Sequence, residues 1–226
     1  MPAIAGLMAM APVEYAWFGK HPAHGDFVSR GMPDTLRDRM QDWLDGALGA
    51  WRMALGEGWA DAFDSAPMVR FWIGAQVMGG GLSGIMVPSH DKVGRRYPLI
   101  VAIGGINIPP PLEPEQVLHD ALADQIPAVL ANPDLGSEIT PAAPMDDVLW
   151  AMNATGQTET VLSDIAAEDM CRASQTRSYW WIAGSDADPA RVLTVTGMPD
   201  GAALGWILSP PPAVDAVADT PAPVDP

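Results

Sequence analysis

The chain is poor in cysteine, short of basic side chains and without any long apolar run. Its single cysteine, Cys171, cannot form an internal disulfide, and an isolated cysteine is most often a small core hydrophobe that suits a reducing compartment. No stretch approaches the roughly 18 apolar residues that a membrane-spanning helix needs. No Lys or Arg precedes Lys20, whereas a secretory signal begins with basic residues. We therefore expect a cytoplasmic protein without direct membrane insertion.

The few basic residues are also unevenly distributed. The 226 residues include 12 Lys and Arg against 28 Asp and Glu, for a formal net charge of −16. Residues 1–100 hold 9 basic and 10 acidic side chains, and residues 101–226 hold 3 and 18. A surface this acidic repels phosphate backbones, so we expect no nucleic-acid partner. The charge fits either a basic protein partner or solubility alone.

Apolar periodicity predicts one sheet with helices packed on it. It predicts strands over 14–18, 68–75, 84–88, 97–103, 179–183, 191–196 and 203–208, and helices over 33–55, 115–130 with a bend at Pro127, 145–152 and 165–172. Strands come in consecutive runs with helices between the runs, so we expect an α/β fold of the α+β type with a mixed, mostly antiparallel sheet. Gly46 and Gly49 are costly inside a helix, which suggests close packing there.

The length of the chain suits a single domain. Residues 210–226 contain six prolines and three aspartates but no aromatic or basic side chain, which predicts a disordered tail.

Two glycine-containing segments do not predict a nucleotide site. Residues 79–84 match G-x-G-x-x-G literally, but that fingerprint needs a helix directly afterwards and the pattern here predicts a strand. We interpret it as a hairpin turn. Gly19-Lys20 has neither the leading glycine nor the following Ser or Thr of a phosphate-binding loop. We expect no cofactor.

Histidines and serines leave two chemical alternatives open. His21, His24 and Asp26 would suit a metal ion if their loop brought them together. The adjacent side chains of 89–91 (Ser-His-Asp) diverge and cannot align as a hydrolytic triad. A serine hydrolase that pairs Ser29 or Ser89 with His24, or that uses His90, remains the alternative from another functional class.

A cluster of basic side chains lies between two predicted strands. Lys92, Arg95 and Arg96 are a quarter of all Lys and Arg residues. Such a cluster can contact an anion or a carboxylate of a partner. Alternatively, a salt bridge from Arg95 to Asp26 or Asp91 fixes two loops to each other. The sequence leaves both interpretations open.

Two segments resemble motifs of one protein family. Residues 17–30 read Trp-Phe-Gly-Lys-His-Pro-Ala-His-Gly-Asp-Phe-Val-Ser-Arg, and residues 84–99 read Gly-Ile-Met-Val-Pro-Ser-His-Asp-Lys-Val-Gly-Arg-Arg-Tyr-Pro-Leu. Both resemble motifs of the TagF/ImpM family, accessory proteins of the bacterial type VI secretion system, and the resemblance covers about 14–209. The resemblance therefore implies a domain over 14–209, with residues 1–13 as an N-terminal extension. His90, Arg96 and Tyr97 depart from the family pattern, which could alter partner choice.

The resemblance implies a longin-like fold and a non-enzymatic role. It implies a post-translational repressor of type VI secretion that binds the forkhead-associated scaffold protein of the apparatus, or otherwise a structural component of it. On this basis we expect the two motif loops to form one surface through Asp26, Asp91 and Arg95, leaving Lys20, Arg30 or Lys92 to meet the partner. The candidate partner-binding residues are Gly19, Lys20, Pro22, Gly25, Asp26, Arg30, Pro88, Asp91, Lys92, Gly94 and Arg95, with no catalytic or metal-binding residue among them.

Overall fold

The protein is built on one seven-stranded sheet in which all neighbouring strands are antiparallel. A computed structural model describes residues 14–104, 116–141, 143, 158–184 and 189–209. The strands are β1 Ala16–Lys20, β2 Phe27–Arg30, β3 Val69–Ile73, β4 Leu82–Val87, β5 Leu99–Gly104, β6 Arg177–Ile182 and β7 Arg191–Thr196. Their order across the sheet is β2-β1-β5-β4-β3-β6-β7. The predicted fold class is confirmed.

Helices cover both faces of this sheet. They are α1 Asp34–Leu55, α2 Trp59–Asp64, α3 Ala75–Met78, α4 Val117–Ala123, α5 Ile126–Ala131, α6 Thr158–Ala173 and α7 Gly201–Leu208. Successive strand residues point to opposite faces. Phe18 accordingly belongs to the core cluster formed with α1 and α7, whereas Trp17 belongs to a second cluster formed with α4 and α5. The sheet is therefore the middle layer of the core.

The predicted strand over 203–208 is wrong, because these residues lie in α7. Asp200 caps this helix by accepting a hydrogen bond from the amide of Ala203 at 2.8 Å. Leu204, Ile207 and Leu208 are buried in the core cluster of α1. A short apolar run does not distinguish a strand from a buried helix by periodicity, and here the contact with α1 decides.

Several boundaries also differ from the prediction. The single bent helix over 115–130 is two helices, α4 and α5, and Pro127 lies in the first turn of α5, where its missing amide donor costs little. Sequence analysis missed β2, α2 and α3, which are four to six residues long. The predicted helix over 165–172 lies within α6, and the one over 145–152 lies outside the described residues.

Replacement of Gly46 should stabilise the protein. Gly46 and Gly49 are exposed on α1, and no atom of the described residues lies within 4 Å of the position that a Cβ would take at either, so these residues provide no close packing that explains the glycines. We expect Gly46→Ala to raise the free energy of unfolding by about 0.5–1 kcal/mol through helix propensity. Denaturant unfolding measures this, with Gly201→Ala as a destabilising control because its Cβ would lie 2.5 Å from that of Ala50. An unchanged or lowered stability for Gly46→Ala would contradict the argument.

Candidate functional site at the two motif loops

The sheet brings the two motif segments to one place. The first loop, residues 21–26, follows β1, and the second loop, residues 88–98, precedes β5. These two strands are neighbours, with Gly19 opposite Leu99. The loops are joined directly, because the amide of Lys92 donates to the carbonyl of His24 at 2.8 Å and the Ser89 hydroxyl donates to the carbonyl of Lys20 at 2.8 Å. Residues separated by about 70 positions thus form one surface.

A buried carboxylate holds the second loop in its conformation. Asp91 is 0% exposed, and its oxygens accept hydrogen bonds from the amides of Val93 at 3.1 Å and Arg95 at 2.9 Å. The guanidinium of Arg95 donates to it at 2.6 Å, and the ammonium of Lys20 lies 3.3 Å away. Burial by itself raises the pKa of Asp91, but these donors outweigh burial and hold the pKa well below its usual range. The carboxylate is therefore ionised and fully partnered.

Arg95 links the two loops through both its partners. Besides the Asp91 carboxylate, its guanidinium donates to the carbonyl of Gly25. Of the two predicted alternatives for the internal salt bridge of Arg95, the one with Asp91 is confirmed. Asp26 takes no part in it, contrary to the expected three-residue contact. The Asp26 carboxylate is exposed and accepts a hydrogen bond from the amide of Phe27, the first residue of β2, at 2.8 Å.

Glycine is required at two positions by backbone geometry. Gly19 has φ +139°, and a Cβ there would lie 2.1 Å from the carbonyl oxygen of Pro98. Gly94 has φ +84° in the turn of the second loop, where its amide donates to the carbonyl of Asp91 at 2.9 Å. Side chains rarely adopt these conformations. The two motif glycines therefore shape the loops.

Of the three cations expected to meet a partner, Lys20 is buried and cannot. It is 8% exposed, and its ammonium lies beside Asp91 and 5.4 Å from the centre of the Phe27 ring. Arg30 is about half exposed and forms an ion pair with Asp134. Among the described residues Lys92 forms no ion pair, and it is exposed. Lys92 is thus the cation that this site leaves to solvent.

The exposed end of the second loop is a small basic and apolar surface. We call residues Lys92, Val93 and Gly94 the loop tip. All three are exposed, and the Val93 side chain is 66% exposed. The neighbouring Arg96 is neutralised by Asp64 through two hydrogen bonds of 2.7 and 2.6 Å. The remaining candidate residues frame this surface, with Pro22 exposed and Gly25 and Pro88 half-buried.

The first loop is not arranged to hold a metal ion. The Nδ1 atom of His21 accepts a hydrogen bond from the amide of Ala23 at 3.1 Å, so Nε2 carries the proton and donates to the carbonyl of Val129 at 3.1 Å. Both ring nitrogens are therefore engaged, and the ring ties the loop to α5. Within the described ranges, no three His, Cys, Asp or Glu side chains are grouped to hold a metal ion.

The structure contains a serine–histidine contact that sequence analysis missed. The hydroxyl of Ser83 lies 3.1 Å from Nε2 of His119, and both side chains are buried. The His119 ring packs against Trp181 with centroids 4.6 Å apart. Burial lowers the pKa of His119 to about 4. The only sequence signal for this pair is a polar side chain within each of two apolar segments.

Residues 79–84 do not form a dinucleotide fingerprint. A strand follows the glycines, as predicted, where the fingerprint would need a helix. This strand, β4, begins at Leu82, two residues before the predicted start at 84. No helix in the part of the chain that the structure describes has the length and apolarity to cross a bilayer.

The fold and the site define a class of protein: a single antiparallel sheet between helices, with one surface made by two interlocked loops. The family model of the TagF N-terminal domain, described as type VI secretion system-associated, matches residues 16–133. The match spans more than half of the chain, which therefore belongs to the TagF family of type VI secretion accessory proteins. This confirms the family resemblance.

A solved structure supports the same assignment. The chain is similar to PA0076 from Pseudomonas aeruginosa PAO1, with 26% sequence identity and a TM-score of 0.61. The similarity covers 86% of this chain and 94% of that chain. No curated protein matches the sequence. The similarity thus extends beyond the part that the family model matches.

Proposed function

We propose that this protein is a non-enzymatic, post-translational repressor of type VI secretion that acts in the cytoplasm by binding the forkhead-associated scaffold of the apparatus through the loop tip. Membership of the TagF family supports the connection with type VI secretion. The observation that carries the proposal is the interlocked pair of motif loops, because the motif residues are used to hold a surface in place.

The rigidity of the loops favours a role in binding. Asp91 fixes both the backbone and the side chain of Arg95, and Arg95 in turn holds the carbonyl of Gly25. A surface that is ordered before association loses less conformational entropy on binding than a flexible loop does. This supports the loop tip as the contact surface.

Charge favours the same surface. The loop tip carries the cation of Lys92, and the side chain of the neighbouring Arg95 is 59% exposed. On a chain with a net charge of −16, such a basic surface orients the approach of an acidic surface on a partner. We therefore infer that the scaffold presents carboxylates to Lys92, with Val93 as an apolar contact.

The chemistry of the loops supports a non-enzymatic role. The Ser89 hydroxyl is donated to a backbone carbonyl, and both nitrogens of His21 are engaged. In the serine–histidine pair described above, Ser83 of β4 and His119 of α4 are both buried. A hydrolase would need an accessible nucleophile hydrogen-bonded to its base.

Reversal of the charge at Lys92 tests the proposal. We expect Lys92→Glu to weaken binding of the purified forkhead-associated scaffold by roughly tenfold or more, because it places a like charge against an acidic surface. Isothermal titration calorimetry at two salt concentrations measures the affinity. Arg52→Glu on α1 is the matched control, since it makes the same charge change on an exposed residue of another element and should leave the affinity unchanged.

The same variants distinguish the alternatives in cells. A repressor predicts that deletion of the gene leaves secretion intact or increases it, and that Lys92→Glu behaves like the deletion. A structural component predicts that deletion abolishes secretion, which would contradict the proposal. Full binding by Lys92→Glu would show that the surface is wrong, and no binding by the unmodified protein would show that the partner is wrong.

A further inference from the structure

An apolar groove lies between α1 and α7, away from the motif loops. Its volume is about 610 Å³. Trp51 and Ala54 of α1 line one side and Trp206 of α7 lines the other, with Arg191 at the start of β7. The Trp206 side chain is 50% exposed. Trp51 is almost fully buried, so Trp206 supplies the exposed indole. An exposed aromatic ring at an apolar groove is typical of sites that bind proline-rich segments in the polyproline II conformation.

The chain itself continues from this groove with such a segment. Ser209, the last described residue before the C-terminal segment, lines the groove. It is followed by three consecutive prolines, 210–212, and then by Ala213 and Val214. Polyproline II rises about 3.1 Å per residue, so Ala213 lies within roughly 12 Å of chain from Ser209. The first residues of the segment can therefore reach every part of a groove of this size.

Charge complementarity favours the same occupant. Residues 210–226 carry three aspartates and no basic side chain. Arg191 is one of the three basic residues in the strongly acidic part of the chain, 101–226, and it lies at the groove. Its guanidinium donates to the carbonyl of Trp206 at 2.9 Å and to that of Ser209. The positive charge thus lies where the acidic segment begins.

We propose that the groove between α1 and α7 is the binding site of the chain's own proline-rich segment 210–214, docked intramolecularly on Trp206. This site is independent of the proposed binding surface at the loop tip. Docking covers the half-exposed indole of Trp206 and brings Asp215, the residue that follows the segment, toward the positive charge of Arg191. Three adjacent prolines reduce the entropy lost on docking, because their conformation is restricted beforehand.

Disulfide trapping in the full-length chain tests this site. In a Cys171→Ala background, Ala54→Cys in the groove is combined with Ala213→Cys. The matched control combines Ala213→Cys with Val192→Cys, an exposed valine of β7 that follows Arg191 but does not line the groove. Arg191 contacts the carbonyl of Ser209, so the control thiol also lies near the start of the segment. We expect an intramolecular disulfide to form at least about tenfold faster at position 54 than at 192 under mild oxidation, since docking raises the effective concentration of the two thiols.

A third variant shows whether the groove itself is responsible. Trp206→Glu in the Ala54→Cys/Ala213→Cys chain should slow trapping to about the rate of the control, while circular dichroism remains unchanged because Trp206 is half exposed. Equal rates at positions 54 and 192, or trapping that is indifferent to Trp206→Glu, would overturn the proposal. Disulfide-linked dimers in place of the intramolecular product would also overturn it, by assigning the groove to the segment of a second copy.

Discussion

Asp91→Ala should lower the melting temperature on the order of 10 °C, the largest effect expected of a substitution in the motif loops. The carboxylate is fully buried and accepts hydrogen bonds from the backbone amides of Val93 and Arg95. It also pairs with the guanidinium of Arg95 and the ammonium of Lys20. Its removal leaves the buried ammonium of Lys20 without its counter-charge. Differential scanning calorimetry measures the change.

Two comparisons separate burial from charge pairing. Asp64→Ala removes another arginine–carboxylate pair from the same loop, but this carboxylate is 55% exposed, so its loss should lower the melting temperature by no more than about 3 °C. Adding Lys20→Met to Asp91→Ala should recover roughly half of the larger loss, since it removes the stranded cation. If Asp64→Ala and Asp91→Ala cost the same, the buried network does not stabilise the loops.

Acidification from pH 6.5 to pH 4 should reduce the free energy of unfolding by about 3 kcal/mol through His119 alone. Burial is the main cause of its low pKa, about 4 in the folded protein against 6.5 for an ordinary histidine. Between these values the unfolded chain binds a proton that the folded protein does not, so stability falls as the pH falls. Above pH 6.5 the contribution is constant. Urea unfolding at several pH values measures the slope.

Substitution of either member of the pair identifies the titrating group. His119→Gln should remove most of the slope between pH 4 and 6.5, whereas Ser83→Ala should lower stability and keep the slope, because it leaves the imidazole buried. Asp91 acts in a different range. Its pKa is depressed from 3.8, so its stabilisation is present above that pH and is lost below it. An unchanged slope in His119→Gln would contradict the assignment.

The sequence predicted which residues form the site, but it did not predict the contacts between them. The two motifs identified the loops, and glycines such as Gly19 and Gly94 marked where the backbone bends. The distribution of charges within the site could not be read from spacing. From the sequence, Asp26 and Asp91 were equally good salt-bridge partners for Arg95. Lys20 and Lys92 were equally good candidates for contact with a binding partner. Pairing of β1 with β5 determines which carboxylate is enclosed and which cation it neutralises.

The fold was predictable where the local pattern was long and unambiguous. The strand over 191–196 and the helix ending at Leu55 have the predicted limits or nearly so, because their periodicity extends over whole elements. β2 was missed because four residues give almost no periodic signal. The segment that forms α7 was predicted as a strand because a short apolar run has no clear period. It is a helix because burial against α1, about 150 residues away in the sequence, outweighs local propensity.

The sequence by itself determined the family, the excess of negative charge and the two loops, since each of these is carried by residue identity over contiguous segments. The tertiary structure alone decided that Asp91 is buried with Lys20 while Lys92 remains exposed, and that His119 lies against Ser83. Burial and the pairing of charges depend on which distant segments the sheet places side by side. These placements set the energy of the ionised groups, and they determine which side chains remain for a partner.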